Sequence, residues 1–234
     1  MAEPSGRDKL LAVLVTMLGL MVVLISLPRV VSSVTLTAGN AYLKDIGFGR
    51  GIDDQGLAAI VSSREKALIW SSQPKTSSDL ALAKIIQSER LGPGAVRETH
   101  LKEAAALLEN SLTQNPVNPY VWLRLGYVRM LLEGPGPGVA GAIRVSFLTG
   151  PHEPRILHMR LRIALASLEH FKPEESMLIE HQIRFSWKKY QKETVRIAVA
   201  FGLEDFFLKA IEKTDPLAGE AFQRHIDSLP VTPS

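Results

Sequence analysis

Nineteen consecutive residues without a charge, Leu10 to Pro28, read LLAVLVTMLGLMVVLISLP. As a helix rising about 1.5 Å per residue, a run of this length matches the ~30 Å hydrocarbon core of a bilayer. A surface helix of a soluble domain keeps a polar face, whereas this run is apolar on every side. A cleaved signal peptide has a shorter apolar region, of about 7 to 15 residues, and ends at a small-x-small site. The nearest such triplet, Gly39-Asn40-Ala41, lies well beyond the run. The pattern therefore predicts residues 1–9 as a cytoplasmic head and residues 10–28 as a single-pass transmembrane helix, with the rest of the chain on the far face of the membrane.

Beyond the run, Val30 to Gly56 mixes Ser, Thr, Gly and Asp with isolated apolar residues, and GFGRG at Gly47 is poor in helix formers. Residues 29–56 accordingly read as a flexible stalk. No GK[ST] follows these glycines, so they do not form a phosphate loop. From residue 57 to 234 the apolar spacing is helical throughout. Helices are expected at Leu57–Trp70, Ser77–Arg90, Ala95–Gln114, Pro119–Leu132, Val139–Leu148, Pro154–Leu168, Glu174–Lys188, Thr194–Ala200, Glu204–Lys213 and Ala218–Ser228. Leu101, Ala104, Ala105, Leu108 and Leu112 form one inward-facing stripe, and Trp122, Leu125, Val128 and Leu132 another. The fold class is all-α, with stacked antiparallel helical hairpins following the anchor.

The chain also repeats itself. Pro116, Pro119 and Trp122 are answered thirty-five residues later by Pro151, Pro154 and Leu157, and SLTQNP at Ser111 is answered by SFLTGP at Ser146. A period near 34 residues is the mark of stacked helical hairpins, each burying its apolar face on the next. Trp122, Leu125 and Gly126 resemble the W-x2-L-G opening of a tetratricopeptide unit. Ala104, Leu108, Ser111 and Pro116 fall on the second-helix positions of the unit before. Arg129 departs where the family has tyrosine, and Leu157 replaces the tryptophan, so the array is degenerate. The layout NPxNPYxWLRL, SFLTGPHEPRILxxR and a basic segment around Trp187 is also similar to small bacterial inner-membrane proteins with one anchor and tetratricopeptide-like repeats. Some of these serve exopolysaccharide biosynthesis, which implies a periplasmic domain in an envelope assembly.

Composition excludes several functions. Without cysteine there is no disulfide framework, thiolate metal site or cysteine nucleophile. The net charge of +3 and the lack of a long Lys/Arg run argue against nucleic acid. Between Asn115 and Tyr190, ten Lys or Arg face six Asp or Glu, a bias that favours an acidic partner. His152, Glu153 and His158 have the wrong spacing for a zinc helix, and no metal, cofactor or catalytic residue is assigned. Glu169-His170 and Glu180-His181 read as solvated surface, and Glu174 and Glu175 as first-turn acids complementing a helix dipole. Arg184, Lys188 and Lys189 with Trp187 and Tyr190 read as a basic helix end.

A binding scaffold fits this pattern best. A structural homo-oligomer is the alternative, and an all-helical glycan-acting enzyme using Glu174 or Glu180 as general acid comes third. The tetratricopeptide resemblance implies a partner-binding face on first-helix positions: Tyr120, Leu123, Tyr127 and Met130 in one unit, then Arg155, His158, Arg162 and Leu165 in the next. Such a face suits a peptide-like segment with an apolar anchor beside a carboxylate.

Overall fold

One helix, α1 (Gly6–Gly47), carries the apolar run and continues past it for almost twenty residues. The computed structural model describes residues 6–228; residues 1–5 of the expected head and 229–234 of the expected helical domain lie outside them. The described residues are helical throughout, without a strand, and divide into two compact units at Gly92/Pro93.

In the first unit α1 is followed by α2 (Asp54–Trp70) and α3 (Pro74–Glu89). The large apolar side chains from Leu10 to Leu27 are all exposed, and this segment is long and apolar enough to cross a membrane. The stretch read as a flexible stalk is helical as far as Gly47. Its serines and threonines bond back to their own helix: Ser33 Oγ to Arg29 O at 2.8 Å, Thr35 Oγ1 to Ser32 O at 2.7 Å and Thr37 Oγ1 to Val34 O at 2.7 Å. The small residues among them are what a second helix packs on. Ser32 and Gly39 are buried, and α2 faces them with Leu57, Ile60, Ser63 and Arg64. A side chain at Gly39 would begin 2.9 Å from Ile60 Cα and 2.6 Å from Ser63 Oγ, so the two backbones approach closely there. Arg64 is 1% exposed, and its Nη1 donates to Leu36 O at 2.9 Å and to Ser63 Oγ at 2.8 Å, while Nη2 reaches Asn40 Oδ1. Burial lowers its pKa, and Asp79 at 4.0 Å opposes that shift.

The second unit runs α4 (Ala95–Gln114), α5 (Pro119–Glu133), α6 (Pro137–Thr149), α7 (Leu157–Ala166), α8 (Ser176–Lys189), α9 (Gln191–Phe201), α10 (Glu204–Glu212) and α11 (Pro216–Asp227). Local chemistry sets the boundaries. Proline opens α5, α6 and α11, where its missing N–H costs nothing. Asn118 caps α5 by accepting from Tyr120 N at 3.1 Å and Val121 N at 3.3 Å. Gly202, with φ +62°, ends α9 in the left-handed region. Helices α5 and α6 run antiparallel: Ser146 Oγ donates to Pro119 O at 2.8 Å, and Arg129 Nη1 donates to Gly138 O at 3.2 Å. Between these ends a Cβ on Gly126 would meet Ile143 Cδ1 at 2.9 Å. Leu101, Ala104, Leu108 and Leu112 of the α4 stripe are buried, as are Leu125 and Val128, while Ala105 and Leu132 are only partly buried. Trp122 is only half-buried, because its indole N–H turns back to Pro116 O at 2.7 Å and closes the turn instead of filling the core.

Arg160 on α7 is fully buried and joins three elements. Its Nη1 donates to Ser146 O at 2.9 Å and Gly150 O at 2.7 Å, both at the C-terminal end of α6, and its Nη2 donates to Gln182 Oε1 on α8 at 2.6 Å. Gln182 Nε2 then donates to Pro151 O at 2.9 Å. The guanidinium carbon lies 4.9 Å from the centre of the Phe147 ring. Burial pulls its pKa down to about 10, so the group stays charged at neutral pH.

Two substitutions test this packing. Gly39→Val should destabilise the first unit by about 1 to 3 kcal/mol, since backbone lies directly opposite; limited proteolysis of α2 and α3 reads it. Arg160→Met should cost the second unit about 3 kcal/mol or more by stranding buried carbonyls, and Arg160→Lys should not restore it, because one ammonium cannot span the same acceptors. Denaturant unfolding followed by the fluorescence of Trp122 and Trp187 measures both.

Candidate functional site

The C-terminal half of α8 forms one wall of an open cleft of about 870 Å³ in the second unit. His181, Arg184, Phe185 and Lys188 follow one another at helical spacing and so share a face of α8. The opposite wall comes from the end of α10 and the first turns of α11, with Ile211, Leu217, Ala218 and Ala221, and His152 enters from the loop after α6. The floor is apolar. Trp187 is 6% exposed and meets the Phe222 and His225 rings edge to face at 5.5 and 5.6 Å.

The rim is cationic. Arg184, Lys188 and Lys189 line the cleft, and the Lys189 ammonium stands 5.2 Å from the centre of the Phe185 ring. His152 packs edge-on against His181 at 5.2 Å and Phe185 at 5.4 Å. Asp215 is the acid among the lining residues, and its Oδ1 already caps α11 by accepting from Leu217 N at 3.1 Å and Ala218 N at 3.3 Å. Burial, and then the positive charges of His152, Arg184 and Arg160, lower the His181 pKa. Burial by itself disfavours a charge of either sign, so it is the cations of the rim that favour an anion here. Cations around an apolar floor can hold a carboxylate beside an aliphatic or aromatic group.

The eight residues expected on a partner-binding face do not form a common exposed surface. Leu123 is 3% exposed and Leu165 is 5% exposed, and both belong to the core. The helical spacing that marks a tetratricopeptide face also marks a buried stripe, and here it is the latter at these two positions. Tyr120 is half-buried, its hydroxyl donates to Glu153 Oε2 at 2.7 Å, and burial followed by that bond raises its pKa. Tyr127 and Met130 are partly buried against the same core. Arg155 is exposed, Arg162 donates to Glu193 Oε1 at 2.8 Å, and His158 packs on Tyr190 at 4.9 Å. None of the eight lines the cleft.

The residues weighed for other chemistry are dispersed. His152, Glu153 and His158 point to different neighbours: His181, Tyr120 and Tyr190. Glu174 is exposed, and Glu180 is held by Lys213 at 2.6 Å and Arg184 at 3.6 Å. Neither lines the cleft. Glu175 is locked by Arg144 at 2.5 Å, and that bond, followed by the one from Lys172 N, lowers its pKa. The basic cluster at Arg184, Lys188 and Lys189 is visible in the sequence, but its partners from the α6–α7 loop and α11 are not. No family model, curated protein or solved structure matches this chain.

Burial is the first cause of a lowered pKa at both His158 and His181. The folded state therefore takes up protons less readily than the unfolded chain, and stability falls as pH drops below the ordinary imidazole value. The unfolding midpoint should be level above about pH 7.5 and decline through about pH 6.5 to 5.5. His181→Gln and His158→Gln should each flatten that decline in a pH series of unfolding curves.

Proposed function

We propose that this chain is a membrane-anchored helical scaffold that binds a protein partner in a bacterial envelope assembly, with its helical domain in the periplasm and its anchor in the inner membrane. It would serve polysaccharide biosynthesis or export. The observation that carries the reading is the cleft, where Arg184, Lys188 and Lys189 surround an apolar floor closed by Trp187. This combination suits a partner segment with an acidic residue next to an apolar anchor. Aromatic and Arg anchors in a desolvated pocket are the usual centres of binding energy at protein interfaces. The close packing of Gly126 on Ile143 between antiparallel α5 and α6 is the arrangement a tetratricopeptide-like unit needs, and it supports the repeat reading. The apolar Leu10–Leu27 segment supports the anchor.

A photo-crosslinking residue at Leu217, which is 72% exposed and lines the cleft, should capture a protein partner in native membranes. Lys188→Glu combined with Lys189→Glu should weaken that partner's binding at least tenfold, about 1.4 kcal/mol. Stability should fall by only about 1 kcal/mol, because both side chains are exposed and lose no more than the Phe185 contact and the favourable charge at the end of α8. Arg155→Ala with Arg162→Ala should leave binding intact; loss of binding in this pair instead would move the site to the tetratricopeptide-type face. An adduct with a second copy of the chain would favour the homo-oligomer.

A further inference from the structure

The first unit holds a second apolar feature apart from the anchor. Ile69 is 81% exposed and Trp70 is 49% exposed, side by side at the last turn of α2. Their height along α1 follows from the contacts between the two helices. Gly56 lies against the Tyr42 ring, Gly39 lies against Ile60 and Ser63, and Arg64 Nη1 donates to Leu36 O at 2.9 Å. Each step forward on α2 is thus a step back on α1, so the helices are antiparallel. Six residues past Arg64, Trp70 stands level with Val30, six residues before Leu36. Val30 is two residues beyond Pro28, where the apolar run ends, or about 3 Å further along the helix axis. The hydrocarbon core of ~30 Å grows to ~40–45 Å with the headgroup layers, so each interfacial layer is about 5 to 7 Å deep. Level with Val30 is inside that layer.

The surrounding residues match it. Val30 is itself 55% exposed, and Arg29 and Lys66 are exposed. Helix α3 turns back beside α2, with Asp79 near Arg64 at 4.0 Å and Lys84 near Glu65 at 3.5 Å, so its first turn lies at the same end, with the Lys75 side chain 80% exposed. An amphipathic ring and an aliphatic side chain near exposed basic residues, of which Lys75 also pairs with Asp79 at 2.8 Å, are the groups that settle at the boundary between headgroups and acyl chains.

Resting on the reading of Leu10–Leu27 as a membrane span, we infer that Ile69 and Trp70 form a second membrane contact. They would insert into the interfacial layer of the bilayer that α1 crosses and pin the α1–α2–α3 unit to the membrane surface. Because the sequence has no cysteine, single-cysteine variants of the full chain report position cleanly. Leu20→Cys, Val30→Cys, Ile69→Cys and Lys44→Cys would each carry a nitroxide in vesicles of phosphatidylcholine and phosphatidylglycerol. Accessibility to oxygen and to a water-soluble nickel chelate is then measured. Position 20 should lie deep, position 44 in water, and positions 30 and 69 together at interfacial depth, with nickel accessibility about fivefold below that of position 44. If position 69 matches position 44 while position 20 is deep, the surface contact is wrong and the anchor stands. A water-exposed label at position 20 would overturn the anchor and, with it, the contact.

Discussion

The guanidinium of Arg160 is the interaction on which the second unit depends. A helix leaves its last carbonyls short of partners, and at the end of α6 one buried cation donates both to Gly150 O and to Ser146 O, which also accepts from Gly150 N at 3.2 Å. The nearby Glu153 carboxylate favours the charged form, and the negative end of the helix, the Phe147 ring and the amide of Gln182 add to it. Because Gln182 is on α8, the same cation fixes the helix that carries the cleft's cations. It also contributes to the positive field that lowers the His181 pKa. A structural residue and the character of the site are thereby joined. Arg64 plays a related part in the first unit, where it crosses from α2 to the Leu36 carbonyl in mid-helix on α1.

Close approach of neighbouring elements at glycine, backbone to backbone at Gly39 and side chain to backbone elsewhere, is the second constraint. At Gly39, Gly56, Gly126 and Gly150 a methyl group would fall within 3 Å of a neighbouring atom on another element. These contacts explain why stretches rich in small residues, which by composition alone resemble linkers, are ordered here. In such helices the glycine is a packing surface, and its conformational freedom is a cost met by the partner helix.

The order of the helices was legible from apolar periodicity, and α5 opens at Pro119 as expected, whereas α6 and α11 open at Pro137 and Pro216, two residues before the expected Val139 and Ala218, because proline is at home in a first turn. The continuation of α1 was not legible, because Val30–Gly47 depends on α2 for its burial and a one-dimensional pattern does not show the partner. The same limit explains Leu123 and Leu165. Periodicity identifies a face of a helix without saying whether core or solvent lies against it. For Trp122 the missing information was the hydrogen bond to Pro116 O, which draws the ring to the turn. The cleft was half legible. Arg184, Lys188 and Lys189 are adjacent in sequence, whereas His152, Leu217 and Ala221 reach them only through the fold.

The unbroken length of α1 has a mechanical consequence. From Pro28 to Gly47 the helix extends about 28 Å beyond the apolar run, and Pro28, which has no N–H to give Leu24 O, stands at the foot of this extension as the place where α1 can bend. With Leu10–Leu27 in a bilayer, a tilt of about 20° would carry Gly47 roughly 10 Å sideways. Thinning or thickening of the membrane changes such a tilt, so α1 converts bilayer thickness into lateral displacement. A flexible stalk would have absorbed that motion, whereas a continuous helix acts as a lever.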